Sequence, residues 1–169
     1  MSGSNKFEHL RHKPPTKLAR DRELVIACMP MRSNVNLSRI VRAAGCFGIT
    51  SLVIAERCRL DPEITRDAIE VVNIKQIRSL APALHEYARL GYRLVGLEQT
   101  TNSQSIYEYS FVRPSVLVVG NERLGITDDI LAILHDVVEI PVYGRPLSFN
   151  AATSAVVAMY EYCRQFPAG

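Results

Sequence analysis

The sequence predicts an α/β fold: a parallel sheet with helices on both faces. Two observations carry that prediction. Short apolar runs without polar alternation are the mark of strands covered on both sides, and helical patterns lie between them. Size adds a third, because a chain of 169 residues with 47% hydrophobic content can bury one core, so a single globular domain is expected.

In chain order the strands are LVIACM (24–29), SLVIA (51–55), YRLVGL (92–97), SVLVVG (115–120) and VVEI (137–140), with AIEVVNI (68–74) as a weaker sixth. Helical patterns cover 37–47, 75–90, 126–134 and 151–165, and Gly48 and Gly91 stand where helices stop. There is no internal repeat and no low-complexity tract.

Residues 1–23 form a leader with six basic against three acidic residues, which accounts for the whole formal net charge of +3. This gives an expected division into a basic N-terminal arm, partly disordered, over 1–23 and a charge-balanced domain over 24–169. Such an arm suits either contact with nucleic acid or plain solvation. No apolar signal core and no run near the ~20 residues of a membrane span is present, so a cytoplasmic protein without a membrane partner is expected. Cys28, Cys46, Cys58 and Cys163 show neither CxxC pairing nor His spacing, and are read as core filler rather than metal ligands or disulfides.

Ligands of parallel sheets bind beyond the C-terminal ends of strands, so three strand exits matter most. In MRSNVNLSRIVRAAGCFGI (31–49), Leu37, Ile40, Val41, Ala44 and Phe47 make an apolar helical stripe with Arg39 and Arg42 opposite. Asn36 reads as the helix cap, and the arginines as either solvated groups or fixed cations for phosphate or a partner subunit. VLVVGNERLGIT (116–127) approaches the phosphate-loop spacing GxxxxGK[ST], but Ile126 replaces the lysine and Glu122 adds an anion. A nucleoside triphosphate is thereby disfavoured, and a neutral or cationic ligand held by backbone groups fits better. No GxGxxG is present for a dinucleotide. In IPVYGRPLSFNAATSAVVAMYEYCRQF (140–166), Asn150 stands at an N-cap, while Gly144, Arg145, Pro146 and Ser148 specify the preceding loop more tightly than a cap requires.

Together, NLSRIVRAAGCFG, VLVVGNERLGI and IPVYGRPLSFNAATSAVVAMYE resemble, in order, the three motifs of the SpoU/TrmH family of RNA ribose 2'-O-methyltransferases within the SPOUT class. The resemblance covers about residues 24–165. It implies a deep C-terminal trefoil knot, with GRPLSFN as the knotted loop, and S-adenosyl-L-methionine as cofactor, contacted at Gly120, Ile140, Val142 and Phe149. Relatives usually carry Leu at the Phe149 position and Met at that of Val142. It further implies a homodimer in which Arg42 is catalytic across the subunit boundary, with Asn36, Glu122, Ser148 and Asn150 positioning it, the substrate or the loop. A guanidinium titrates above ~12, so Arg42 acts either as a heavily perturbed base or by stabilising negative charge on the attacking oxygen. The implied reaction is methyl transfer to a ribose 2'-hydroxyl of structured RNA, with tRNA guanosine the first target and ribosomal RNA the alternative. A non-catalytic RNA-binding protein retaining the fold is the third reading.

Overall fold

The computed structural model describes Phe7, His9, Leu10 and residues 13–169; the arm expected over 1–23 falls in part outside these residues. The described residues form one seven-stranded sheet of β1 (Leu24–Cys28), β2 (Ser51–Ala55), β3 (Asn73–Ile77), β4 (Arg93–Leu97), β5 (Gln104–Ser105), β6 (Ser115–Val119) and β7 (Asp136–Glu139). Their spatial order is β3-β2-β1-β6-β4-β7-β5, and every pairing is parallel. The helices are α1 (Asn34–Phe47), α2 (Pro62–Thr65), α3 (Ala68–Val71), α4 (Leu80–Arg89), α5 (Asp128–Leu131) and α6 (Ala151–Gln165).

The unbroken apolar runs have the meaning assigned to them. Leu24, Ile26 and Cys28 of β1 pack into one layer with Leu37 and Ile40 of α1 and Tyr162 of α6, whereas Val25 and Ala27 pack into a second layer with Leu84 of α4 and Ile130 of α5. Each β1 side chain is therefore claimed by one face or the other, and a fully buried Leu or Ile stabilises by about 1.5–3 kcal/mol. After β7 the chain turns back so that α6 lies against α1, with Phe47 edge-on to Tyr160 at 6.5 Å.

Helix α1 ends as predicted: Gly48, at φ +70, turns its amide back to the carbonyls of Ala44 and Gly45. Its start differs from the expectation. Ser33, not Asn36, is the cap, accepting from the Asn36 amide at 3.2 Å, so the Asn36 side chain is released for other work. Asn150 caps α6 as expected, accepting from the amides of Ala152 at 3.0 Å and Thr153 at 3.3 Å.

The region between β2 and α4 departs most from the sequence reading. The weak strand placed over 68–74 is half helix, since α3 takes Ala68–Val71, and the helix placed over 75–90 begins only at Leu80. Between them Asn73–Ile77 pairs with β2 as the sheet edge. An edge strand with polar residues exposed lacks the apolar run that marked its neighbours. Similarly α5 covers only Asp128–Leu131 of the expected 126–134, because the chain must turn before β7. Cys46 is exposed and Cys58 and Cys163 are half-buried, so only Cys28 is core filler.

The N-terminal edge of the sheet is tied together by arginines. Arg22 donates to the carbonyls of Phe47 at 2.6 Å and Phe166 at 2.7 Å, which docks the end of the leader on α1 and α6. Arg93 grips Asp136 with both arms at 2.7 and 2.8 Å, and Asp136 also accepts from the Tyr109 hydroxyl at 2.7 Å. Arg113 donates to the Gly169 carbonyl and stacks 4.5 Å from the Phe166 ring centroid. No helix among the described residues is long and apolar enough to cross a membrane.

Candidate active site

A cavity of about 260 Å³ opens at the C-terminal ends of β4, β6 and β7. Leu97 and Val119 end the strands beneath it, and Ile140, Val142 and Phe149 supply apolar wall. Glu98, Glu122 and Glu139 border it as three carboxylates against the single cation Arg123, and Ser148 and Ser154 add hydroxyls.

Local chemistry fixes the loop after β6. Asn121 and Gly125 exchange two backbone hydrogen bonds of 2.9 and 3.0 Å, and the Asn121 Oδ1 accepts from the amides of Arg123 and Leu124. The loop closes so tightly that a Cβ on Gly120 would lie 2.8 Å from the Gly125 carbonyl carbon. Gly125, at φ +66, sits over the Glu98 carboxylate, which accepts from the Ile126 amide at 3.0 Å. A loop sealed by its own ladder bonds offers no phosphate cradle, consistent with the missing lysine.

Glu122 turns away from the loop to the start of α1. Its carboxylate accepts from the amides of Arg32 at 2.9 Å and Ser33 at 3.0 Å and from the Asn36 Nδ2 at 3.0 Å. Burial alone would raise its pKa. The bonds from the Arg32 amide, its own amide, the Asn36 side chain and the Ser33 amide outweigh burial and hold the carboxyl below its ordinary range. Asn36 in turn accepts from the Asn150 Nδ2 at 3.2 Å. Three residues from three separate strand exits thus form one hydrogen-bonded line beside the cavity.

The structure brings Gly120, Ile140, Val142 and Phe149 together on the cavity, with Glu122 and Ser148 on its border and Asn36 and Asn150 joined to Glu122. It does not bring Arg42 there. Arg42 is exposed on α1, about 9 Å along the helix from Asn36, and is absent from the cavity lining. The exposed loop 143–150 leaves Tyr143, Leu147 and Phe149 87%, 75% and 48% exposed. Glu98, Asn121 and Glu139 were missed by sequence reasoning, although Glu98 follows a strand end and the same exit rule would have found it.

The family model described as the SpoU rRNA Methylase family matches residues 23–160. The chain is 27% identical over 150 residues to a tRNA (guanosine(18)-2'-O)-methyltransferase of Aquifex aeolicus, covering 86% of this chain and 71% of that protein. It is 25% identical over 152 residues to the enzyme of the same name from Escherichia coli, covering 88% of this chain and 66% of that protein. Among solved structures, the A. aeolicus TrmH/SpoU tRNA modifying enzyme superposes with a TM-score of 0.83 at 26% identity, covering 89% of this chain and 78% of that one. The SpoU methyltransferase AviRb from Streptomyces viridochromogenes, in complex with AdoMet, gives a TM-score of 0.75 at 25% identity, covering 92% and 64%. With the family match running from the first strand into the last helix, the chain belongs to the SpoU rRNA methylase family.

Proposed function

We propose that this chain uses S-adenosylmethionine to methylate a ribose 2'-hydroxyl of RNA, with a guanosine of tRNA as the target, in the cytoplasm and as a homodimer. The observation that carries the reading is the line Glu122–Asn36–Asn150 beside the cavity lined by Gly120, Ile140, Val142 and Phe149. The tRNA target follows the named activity of the A. aeolicus and E. coli relatives.

The cavity fits the cofactor on its own chemistry. Apolar side chains at Ile140, Val142 and Phe149 suit a flat heterocycle, Gly120 lets the loop beneath it close against Gly125 where a Cβ would collide, and Glu98, Glu122 and Glu139 give the rim a negative bias that favours a cation. When bound, S-adenosylmethionine supplies an electrophilic methyl group on a positively charged sulfur. The chain's residues then have separable tasks. Glu122 holds the start of α1 against the loop after β6, and Asn36 passes that restraint to Asn150 and the loop 143–150. Ser148 borders the cavity as a donor or acceptor for the substrate. Arg42 has no place on its own chain's cavity, which supports a role in a second copy. There its guanidinium stabilises the negative charge growing on the attacking oxygen. Threading of the segment after β7 as a trefoil knot belongs to the same reading.

Incubation of the protein with methyl-labelled S-adenosylmethionine and total tRNA, followed by nucleotide mapping, tests it. Label on a ribose 2'-oxygen of guanosine is expected. Label on a base, or none, would overturn it.

A further inference from the structure

Arginines at the two edges of the sheet have opposite fates. At the N-terminal edge, Arg22, Arg93 and Arg113 are each engaged by a carbonyl or a carboxylate. At the C-terminal edge stand Arg32 after β1, Arg57 and Arg59 after β2, Arg78 after β3 and Arg123 after β6. All five are exposed, and among the described residues none has a side-chain hydrogen bond or ion pair. Exposed guanidiniums left without protein partners along one edge are available to an outside anion.

The strands they follow lie side by side. The strands β3, β2, β1 and β6 are adjacent in that order, so the strand ends that carry these arginines span about 14 Å at ~4.8 Å per strand. Arg123 borders the active-site cavity, and the Arg32 amide is bonded to Glu122 on its rim. At the far end, Arg57 and Arg78 line a hollow of about 400 Å³ with Gln76 and Ile77. Glu56 is the acidic residue there; at φ +66 it turns the chain out of β2 and pairs with neither arginine.

We propose that the exits of β2 and β3, through Arg57, Arg59 and Arg78, are a phosphate-binding track for the RNA strand flanking the target ribose, continuing from the cavity past Arg32. This rests on the RNA-methylating reading. A ribose at the cavity must be followed by backbone phosphates within one or two strand widths, and this edge carries exposed cations without side-chain partners among the described residues. The track positions RNA and touches no reacting atom, so its loss should raise the KM for RNA and leave kcat at saturating RNA in place.

The test compares Arg57→Gln/Arg78→Gln with the parent, using total tRNA at several salt concentrations. The double variant is expected to keep the parent's melting temperature and S-adenosylmethionine affinity. Its KM for tRNA should rise about tenfold, and the slope of log affinity against log salt should shrink by roughly 2. Arg89→Gln removes one charge from the end of α4, close to the N-terminal edge, and should change neither. An unchanged KM and salt slope in the double variant, with the parent active on tRNA, would overturn the track alone. A parent that transfers no methyl group to RNA would overturn the functional reading and the track with it.

Discussion

The two edges of the sheet are built from the same residue types and put to different uses. At the N-terminal edge, polar groups are consumed by the fold: Asp136 takes Arg93 and Tyr109, Arg22 takes two helix-end carbonyls, and Arg113 takes the Gly169 carbonyl. At the C-terminal edge, Glu122, Asn36 and Asn150 hold three loops in one arrangement, while the cations around them remain open. The difference teaches where stability and activity should separate. Damage at the first edge should lower the melting temperature with little effect on turnover, and damage at the second should do the reverse.

The sharpest probe of that separation is Arg42→Ala. It should slow methyl transfer at least about 100-fold, in the range seen when one donor to a developing oxyanion is removed. Melting temperature and cofactor affinity should stay at parent values, because Arg42 is exposed and, among the described residues, its side chain has no hydrogen bond or ion pair. A parental rate would break the assignment.

Asp136→Ala should show the opposite pattern. Loss of a two-armed guanidinium grip and a tyrosine hydroxyl bond should cost about 1–3 kcal/mol of unfolding free energy, read from denaturant melts, with kcat unchanged. Hydrogen bonding from Arg93, opposed by burial and aided by Tyr109, lowers the Asp136 pKa from its ordinary value. A carboxyl lowered in the folded state contributes stability that is present above its unfolded pKa, near 3.8, and lost as pH falls through the folded one. The parent should therefore lose more stability than Asp136→Ala between neutral pH and strong acid, and equal acid slopes would contradict this.

Glu122→Gln tests the line at the C-terminal edge. Replacing a carboxylate by an amide keeps an acceptor but weakens each charge-assisted bond, so cofactor affinity should fall several-fold, to about tenfold, by calorimetry. Folding should weaken by less than in Asp136→Ala, because Gln keeps an acceptor for the same donors. The smallest effect is expected from Phe149→Leu. It should alter S-adenosylmethionine affinity by no more than several-fold, since volume-tolerant apolar exchange costs under about 1.5 kcal/mol and Phe149 is 48% exposed.

Legibility in the sequence followed burial. Strands β1, β2, β4 and β6 were readable because both faces are covered, so that beyond the first position of β2, β4 and β6 no polar side chain interrupts the run. β3 and β5 were not, since an edge strand shows one solvated face and a two-residue strand has no period to detect. The α6 cap at Asn150 was readable from local chemistry, whereas the α1 cap was misplaced by three residues because Asn36 has the composition of a cap and a different task. That task depends on Glu122, 86 positions away in the chain, and distance in sequence carries no sign of it. Glu139 was hidden for the same reason, since its use depends on which strand ends become neighbours, whereas Glu98 directly follows β4 and lay within reach of the strand-exit rule.

The line from Glu122 to α6 also has a polarity. A carboxylate can only accept, so the Asn36 amide must point its nitrogen at Glu122 and its oxygen at Asn150. Asn150, obliged to answer with its own nitrogen, has only its oxygen left for the amides of Ala152 and Thr153. One ionised group therefore dictates the orientation of two side-chain amides and the anchoring of a helix beyond them. Neither amide can be reversed alone, so the helix start and the rim of the cavity are set by a single choice of direction.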